Sequence, residues 1–338
     1  MPEGQRLSIA CVDYHTAGEP FRIVTGGVPP LRGKTVLDRR TDAAERLDHV
    51  RRFLVQEPRG HADMYGCFVT DPEDEGADLG VVFFHNAGFS TACGHGTIAL
   101  VTWAIDSGLI APAGREGSVT VDVPSGRVST IARVEDGRVR SVRFRNVPSF
   151  AQGGPVNLDT SAGPITVDVA YGGAYYASVA APDLGMAVEP SKLRAFIELG
   201  REIKHRMNEA GAAAHPEDPR LSGIYGVIFF EDVPDDSVPL RQRNVTVFAD
   251  GEVDRSPCGS GTSARLALLH RDGRLRTGQL MVHESVIGTE FGAMVVEETE
   301  AYGLPAVVTE VEGAAHRTGY HQFVLEPGDG LGTGFLLR

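Results

Sequence analysis

The nonapeptide Thr91-Ala92-Cys93-Gly94-His95-Gly96-Thr97-Ile98-Ala99 recurs, with changes, as Ser256-Pro257-Cys258-Gly259-Ser260-Gly261-Thr262-Ser263-Ala264. Both copies read C-G-x-G-T-x-A, and their cysteines stand 165 residues apart in a chain of 338. A repeat spaced at half the chain points to two related lobes. Each copy leads into an apolar run of helical character, about 95–107 and 260–270, and each run closes near a glycine, Gly108 and Gly273, as helices often do. The pattern therefore places one cysteine at a helix N-terminus in each lobe.

That position has chemical consequences. Unpaired backbone N–H groups at a helix start attract an anion, and the helix dipole is expected to lower the pKa of a thiol there. The glycines let a carboxylate come close to those groups. If the lobes face one another, the two thiols flank one bound carboxylate. Such a pair suits removal of a proton from one face of an α-carbon and its return on the other. One thiol must then be ionised and the other neutral, with the roles exchanged in reverse. Two helix N-termini would stabilise the charge that develops on the carboxylate. A thiol hydrolase would need only one of the cysteines, so the duplication would go unexplained. A binding protein without activity would have no use for intact thiols at both places.

Outside the repeat, strand patterns dominate. Runs containing Leu7–Val12, Phe21–Val24 and Gly80–Phe84 read as strands, as do the alternating Val119, Val121, Val123 and Ile165, Val167, Val169. Further strands are predicted near 224–230, 244–249, 280–287, 291–297 and 306–311, with a hairpin turn at Asp136-Gly137. A helix is predicted at about 42–55, capped by Asp42, and another at about 191–208 after Pro190-Ser191. The 41 glycines and 20 prolines fit many turns between short strands. The class is α+β, largely antiparallel.

The net charge of −13 lacks the basic footprint of a nucleic-acid or anionic-membrane binder, so neither is an expected partner. The segment MPEGQRLSIACVDYH has no apolar core of a signal peptide, and no run reaches the length of a membrane span. The expected location is the cytoplasm, with reduced thiols. The four cysteines, at 11, 67, 93 and 258, show no zinc spacing. Without a pyridoxal-phosphate lysine context or a nucleotide loop, no cofactor and no metal are expected. Cys11 and Cys67 read as core residues and Trp103 as packing. His316 and His321 lack a third ligand.

Cys93-Gly94-His95-Gly96-Thr97 and Asp254-Arg255-Ser256-Pro257-Cys258-Gly259-Ser260-Gly261-Thr262 resemble the two signature motifs of the proline racemase family. So do His15-Thr16-Ala17-Gly18-Glu19-Pro20, Pro58-Arg59-Gly60-His61, Met64-Tyr65-Gly66, Asp168 through Tyr175 and Gly313 through Gly319, so the likeness covers nearly the whole chain. The resemblance implies a diaminopimelate-epimerase-like fold of two pseudo-symmetric lobes, each a curled sheet around a central helix, with the site between them. The lobes would be residues 1–158, completed by a C-terminal strand in 321–338, and residues 159–320. It implies catalysis without cofactor or metal, with Cys93 and Cys258 as acid and base. Gly94, His95, Gly259 and Ser260 would contact the substrate carboxylate, His95 through its backbone N–H. Asp254 would meet the ring amine. Family members that invert carry both thiols, as here, whereas dehydratases replace one with Ser or Thr. The stretch His85-Asn86-Ala87-Gly88-Phe89-Ser90 is nevertheless similar to the dehydratase branch of animals, which has threonine where this chain has Cys258. The expected activity is epimerisation of trans-4-hydroxy-L-proline to cis-4-hydroxy-D-proline, with trans-3-hydroxy-L-proline dehydration next, alone or as a second activity, and proline racemisation third. Monomer and homodimer both fit.

Overall fold

The computed structural model describes residues 7–337. The elements in chain order are β1 (Leu7–Thr16), β2 (Glu19–Gly26), α1 (Val36–Arg46), α2 (Asp48–Val55), β3 (Tyr65–Thr70), β4 (Leu79–His85), β5 (Gly88–Phe89), α3 (Gly94–Asp106), β6 (Glu116–Val123), β7 (Gly126–Glu135) and β8 (Arg138–Arg145). There follow β9 (Phe150–Ala151), β10 (Val156–Thr160), β11 (Gly163–Tyr171), β12 (Tyr175–Ala180), α4 (Leu193–Glu209), β13 (Ile224–Asp232), β14 (Leu240–Phe248), β15 (Glu252–Asp254), α5 (Gly259–Arg271), β16 (Met281–Ser285), β17 (Glu290–Ala301), β18 (Leu304–Gly313) and β19 (Ala315–Leu325).

The sequence repeat is the trace of a topological repeat. From β1 the pairings run antiparallel to β2, parallel from β2 to β3, antiparallel to β4 and to short β5, then parallel from β4 to β6 and antiparallel to β7. The same series runs from β11 through β12, β13, β14, short β15, β16 and β17. Parallel neighbours need a long crossover, and the helices fall at those steps. In each half the cysteine motif joins a short strand to a crossover helix, β5 to α3 and β15 to α5. This is an α+β fold.

The chain divides into two compact units. The first holds residues up to Thr91, Gly96–Ser141 and the chain from Ala314 on; the second holds Ala92–His95 and Val142–Gly313. The expected boundaries at 158 and 320 fall inside β10 and β19. β19 pairs with β1 from Leu7↔Leu325 to Thr16↔Ala315. Cys93, Gly94 and His95 group with the second unit, so the first motif is split after His95.

Two helices replace the one expected at 42–55. The first begins earlier, because Thr35 and Asp38 form a capping box: the Thr35 side chain accepts from the Asp38 N–H at 3.1 Å and the Asp38 carboxylate accepts from the Thr35 N–H at 3.2 Å. Asp42 is therefore interior and pairs with Arg46 at 2.5 Å. The break falls at Leu47 (φ −117°, ψ 12°). Asp136 and Gly137, with φ of 52° and 72°, turn β7 into β8 as the sequence predicts. Helix α5 is buried at every position from Gly259 to Leu269 and packs against β9, β11, β12, β17 and β18. A helix buried on all sides marks the centre of its unit.

Beneath α2, in the first unit, buried Arg22 lies 2.7 Å from the Asp13 carboxylate and donates to the carbonyls of Leu54 and Arg59. Arg22→Met would strand the Asp13 charge. The expected loss is about 3 kcal/mol of unfolding free energy, read by urea denaturation, and recovered in part by adding Asp13→Asn. A loss below roughly 1 kcal/mol would show the pair to be dispensable.

Candidate active site

The site is built from the starts of α3 and α5, within the second unit. Short strand β15 delivers Asp254, whose Oδ1 accepts from the Ser256 N–H at 2.8 Å and the Ser256 hydroxyl at 2.7 Å. The Ser256 hydroxyl oxygen in turn accepts from the Cys258 N–H at 3.1 Å. Cys258 caps α5 with φ 65° and ψ 95°, a left-handed conformation that L side chains rarely adopt. Its Sγ folds over the first helical turn, where a Cβ at Gly261 would fall 2.9 Å from the sulfur. Glycine there leaves room for the thiol and directs a backbone N–H at it. The sulfur also lies 3.7 Å from the Tyr176 hydroxyl, which is 2.7 Å from the Ser260 hydroxyl.

The first motif supplies the other half. His95, in the first turn of α3, has Nε2 3.4 Å and Nδ1 3.6 Å from the Cys93 sulfur. Its Nδ1 is also 3.9 Å from Asp254 Oδ2. Gly94 and Gly259 meet backbone to backbone. A Cβ on Gly94 would fall 2.6 Å from Gly259 Cα, and one on Gly259 would fall 2.8 Å from Gly94 Cα. Buried Phe144 rests on both glycines. One connected set thus joins the sequence-predicted residues: Cys93 to His95, His95 to Asp254, Gly94 to Gly259, and Ser260 through Tyr176 to Cys258.

All the ionisable members are buried, with Cys93, His95, Asp254 and Cys258 at 6% exposure or less. Burial lowers the His95 pKa to about 3, so its imidazole is neutral and its contact with Asp254 is polar rather than ionic. Burial raises Asp254 to about 6 against the hydrogen bonds from Ser256. Cys258 is pushed well above the ordinary thiol range by burial first and by the Asp254 charge second. The Tyr176 hydroxyl and the Gly261 N–H oppose this but do not prevail. The expectation that the helix N-terminus would lower this thiol's pKa is therefore corrected: desolvation outweighs the dipole.

Sequence reasoning gave weight to the backbone N–H of His95, whereas its ring links Cys93 to Asp254. It did not single out Tyr176, Ser256, Gly261 or Phe144. Ser256 and Gly261 lie inside the quoted motif, and Tyr176 follows the family-like stretch ending at Tyr175. Phe144 carries no local signal. Among the described residues no group of three or more His, Cys, Asp or Glu side chains is arranged to hold a metal ion. No helix of the described residues is long and apolar enough to cross a membrane.

With this geometry in view, comparison with known proteins is direct. The proline racemase family description matches residues 11–336. The chain is 45% identical over 326 residues to a trans-3-hydroxy-L-proline dehydratase of Bacillus cereus, covering 96% of this chain and 97% of that protein. It is 44% identical over 332 residues to a 3-hydroxyproline 2-epimerase of Burkholderia multivorans, covering 98% of each. Its structure is similar to that of a hydroxyproline epimerase from Agrobacterium vitis with bound trans-4-hydroxy-L-proline. The TM-score is 0.92 at 33% identity, covering 98% of this chain and 96% of that one. The chain belongs to the proline racemase family. It is an enzyme of the fold shared by that family's racemases, epimerases and dehydratases.

Two predictions follow from the site's geometry and charges. Gly94→Ala should force Phe144 or the Gly259 backbone aside and cost about 1–3 kcal/mol of stability by thermal or chemical unfolding. A cost within about 0.5 kcal/mol would mean the two helix starts separate freely. The second concerns pH. An unfolded aspartate ionises near 3.8 while folded Asp254 keeps its proton to about 6, so this group's stabilisation is complete below the first value and lost as pH rises through the second. Asp254→Asn removes that dependence. The stability of wild type minus that of Asp254→Asn should fall between those pH values; a flat difference would contradict the assignment.

Proposed function

We propose that the chain moves the Cα proton of a 3-hydroxyproline between two thiols, converting trans-3-hydroxy-L-proline to cis-3-hydroxy-D-proline. The observation that carries this reading is that two cysteines, each with its own buried polar partner, belong to one connected set: Cys93 with His95 and Cys258 with Asp254. Inversion needs one proton-transfer group on each face of the carbon, and a second thiol is what hydrolysis or passive binding would not require.

In this mechanism the substrate carboxylate lies against the N–H groups of Gly94, His95, Gly259 and Ser260 at the two helix starts, where added charge is stabilised as the proton leaves. The ring ammonium faces Asp254. Its positive charge offsets the carboxylate charge that helps hold the Cys258 thiol protonated. In one direction Cys93 acts as the thiolate base, beside the neutral His95 ring, while the Cys258 thiol delivers a proton to the opposite face. The reverse reaction exchanges the roles. The chemistry calls on no cofactor.

The preference for a 3-hydroxyl rests on the relatives at 45% and 44% identity, whose names carry 3-hydroxyproline. It moves the weight from trans-4-hydroxy-L-proline, the ligand in the structure at 33% identity. A second reading, dehydration of the same substrate, is favoured by the name of the Bacillus cereus relative. It shares the first step: after Cα–H removal the electron pair forms the ring double bond as the C3–O bond breaks, the hydroxyl leaves as water with the proton of the Cys258 thiol, and the resulting enamine tautomerises within the pyrroline carboxylate.

Proton NMR in D2O with trans-3-hydroxy-L-proline tests both. The expected result is loss of the Cα–H signal with growth of Cα-deuterated cis-3-hydroxy-D-proline. Cys258→Ser should slow that inversion by at least about a hundredfold. A pyrroline carboxylate as the main product would select the second reading. No change in this compound or in trans-4-hydroxy-L-proline would overturn both.

A further inference from the structure

Three polar side chains with no exposed surface are hydrogen-bonded in series beside the Pro257–Cys258 peptide: Asn244 on β14, Thr262 in the first turn of α5, and His283 on β16. We propose that His283, Thr262 and Asn244 are positioning residues that hold the Pro257–Cys258 peptide, and so aim the Cys258 thiol. The inference rests on the reading of Cys258 as a reacting thiol.

The proton positions follow from what each atom can do. The Asn244 amide oxygen accepts from the Thr246 hydroxyl at 3.2 Å, which leaves its nitrogen, a donor only, facing His283 Nε2 at 2.9 Å. His283 Nε2 must therefore be the unprotonated acceptor, and the ring proton sits on Nδ1. That Nδ1–H donates to the Thr262 hydroxyl oxygen at 2.8 Å, and the Thr262 proton is directed to the Pro257 carbonyl at 3.3 Å. The Asn244 nitrogen donates its second proton to the same carbonyl at 3.1 Å, shared with the Glu284 carbonyl at 3.3 Å. The carbonyl end of the Pro257–Cys258 peptide is thus held by two donors, while its N–H end is held by the Ser256 hydroxyl at 3.1 Å.

This clamp explains how Cys258 keeps φ 65° and ψ 95°. A non-glycine residue in such a region costs about 1–3 kcal/mol and persists only where its surroundings impose it. Release of the Pro257 carbonyl would let the peptide rotate toward an ordinary conformation and carry the sulfur off its line. A proton on His283 Nε2 would set two donors against each other. Burial, reinforced by the Arg265 cation, keeps the ring neutral by depressing its pKa to about 3. The first motif is built differently at this point, with Ala92 where the second has Pro257.

The test is paired substitution in the full-length enzyme, read by iodoacetamide alkylation of each cysteine with peptide mass spectrometry and by steady-state kinetics. Thr262→Val should change the ratio of Cys258 to Cys93 alkylation rates by about fivefold or more, with Cys93 itself nearly unchanged. It should lower kcat by about tenfold or more with little change in KM, and Thr262→Ser should restore both. His283→Asn, which keeps an N–H donor near the Nδ1 position, should retain the wild-type ratio, whereas His283→Leu should not. If Thr262→Val does not fold, the His283 pair decides by the same ratio. An unchanged ratio, or rates at both cysteines that move together as the melting temperature falls, would reduce the cluster to core packing and overturn the proposal. The alkylation ratio needs no substrate, so a wrong substrate assignment leaves it readable.

Discussion

The contact on which the rest of the site depends is that of Gly94 with Gly259. Side chains of any kind would keep these two residues apart, since a Cβ on either would lie under 3 Å from the other's Cα. With hydrogen in that place, the backbones of Gly94 and Gly259 come into one neighbourhood. Each catalytic candidate is the residue immediately before its glycine, so the contact carries the two cysteines with it. It also accounts for the grouping of Ala92–His95 with the second unit, although those residues belong by sequence to the first half. Phe144 packs on both glycines and fills the space their missing side chains leave.

Around that contact the protein has gathered ionisable groups and withheld water from them. Neutral His95, a carboxylate raised to about 6 despite the Arg255 cation, and a thiol raised further still are what desolvation dictates when it outweighs the neighbouring charges. A helix N-terminus offers about half an elementary charge, spread over several amides. Full burial beside an aspartate opposes it and is the larger effect. A positive charge placed beside Asp254 would change the balance, because low dielectric surroundings magnify each charge added. Asp254 is held by Ser256 and linked to His95, so a charge placed beside it bears on both cysteines' neighbourhoods.

Much of the fold is legible in the amino-acid sequence. The alternation at Val119–Val123 and Ile165–Val169, the turn at Asp136-Gly137 and the helices after each cysteine are local patterns, and they are found where periodicity and turn chemistry place them. The single helix expected at 42–55 was less legible. Asp42 looks like a cap in sequence, yet the Thr35–Asp38 capping box starts the helix almost two turns sooner and Leu47 divides it. Both choices are compatible with local propensity, and packing arbitrates between them. At the site, the residues supplied by the repeat could be named, but Tyr176 and Phe144 could not. They come from β12 and β8, 82 and 114 residues before Cys258 in sequence.

The amino-acid sequence by itself determined that there are two related halves, that each sets a cysteine before a glycine at a helix start, and that the chain is a member of a family defined by that pair. These are matters of spacing and local chemistry, which a linear pattern carries. Tertiary structure alone decided which polar groups share a buried space: the His95 ring with Cys93 and Asp254, Tyr176 with Cys258, and the His283 cluster with the Pro257 carbonyl. It also decided the direction of the Cys258 pKa. Desolvation and through-space charge depend on everything packed around an atom, and residues far apart in the chain supply most of that surrounding.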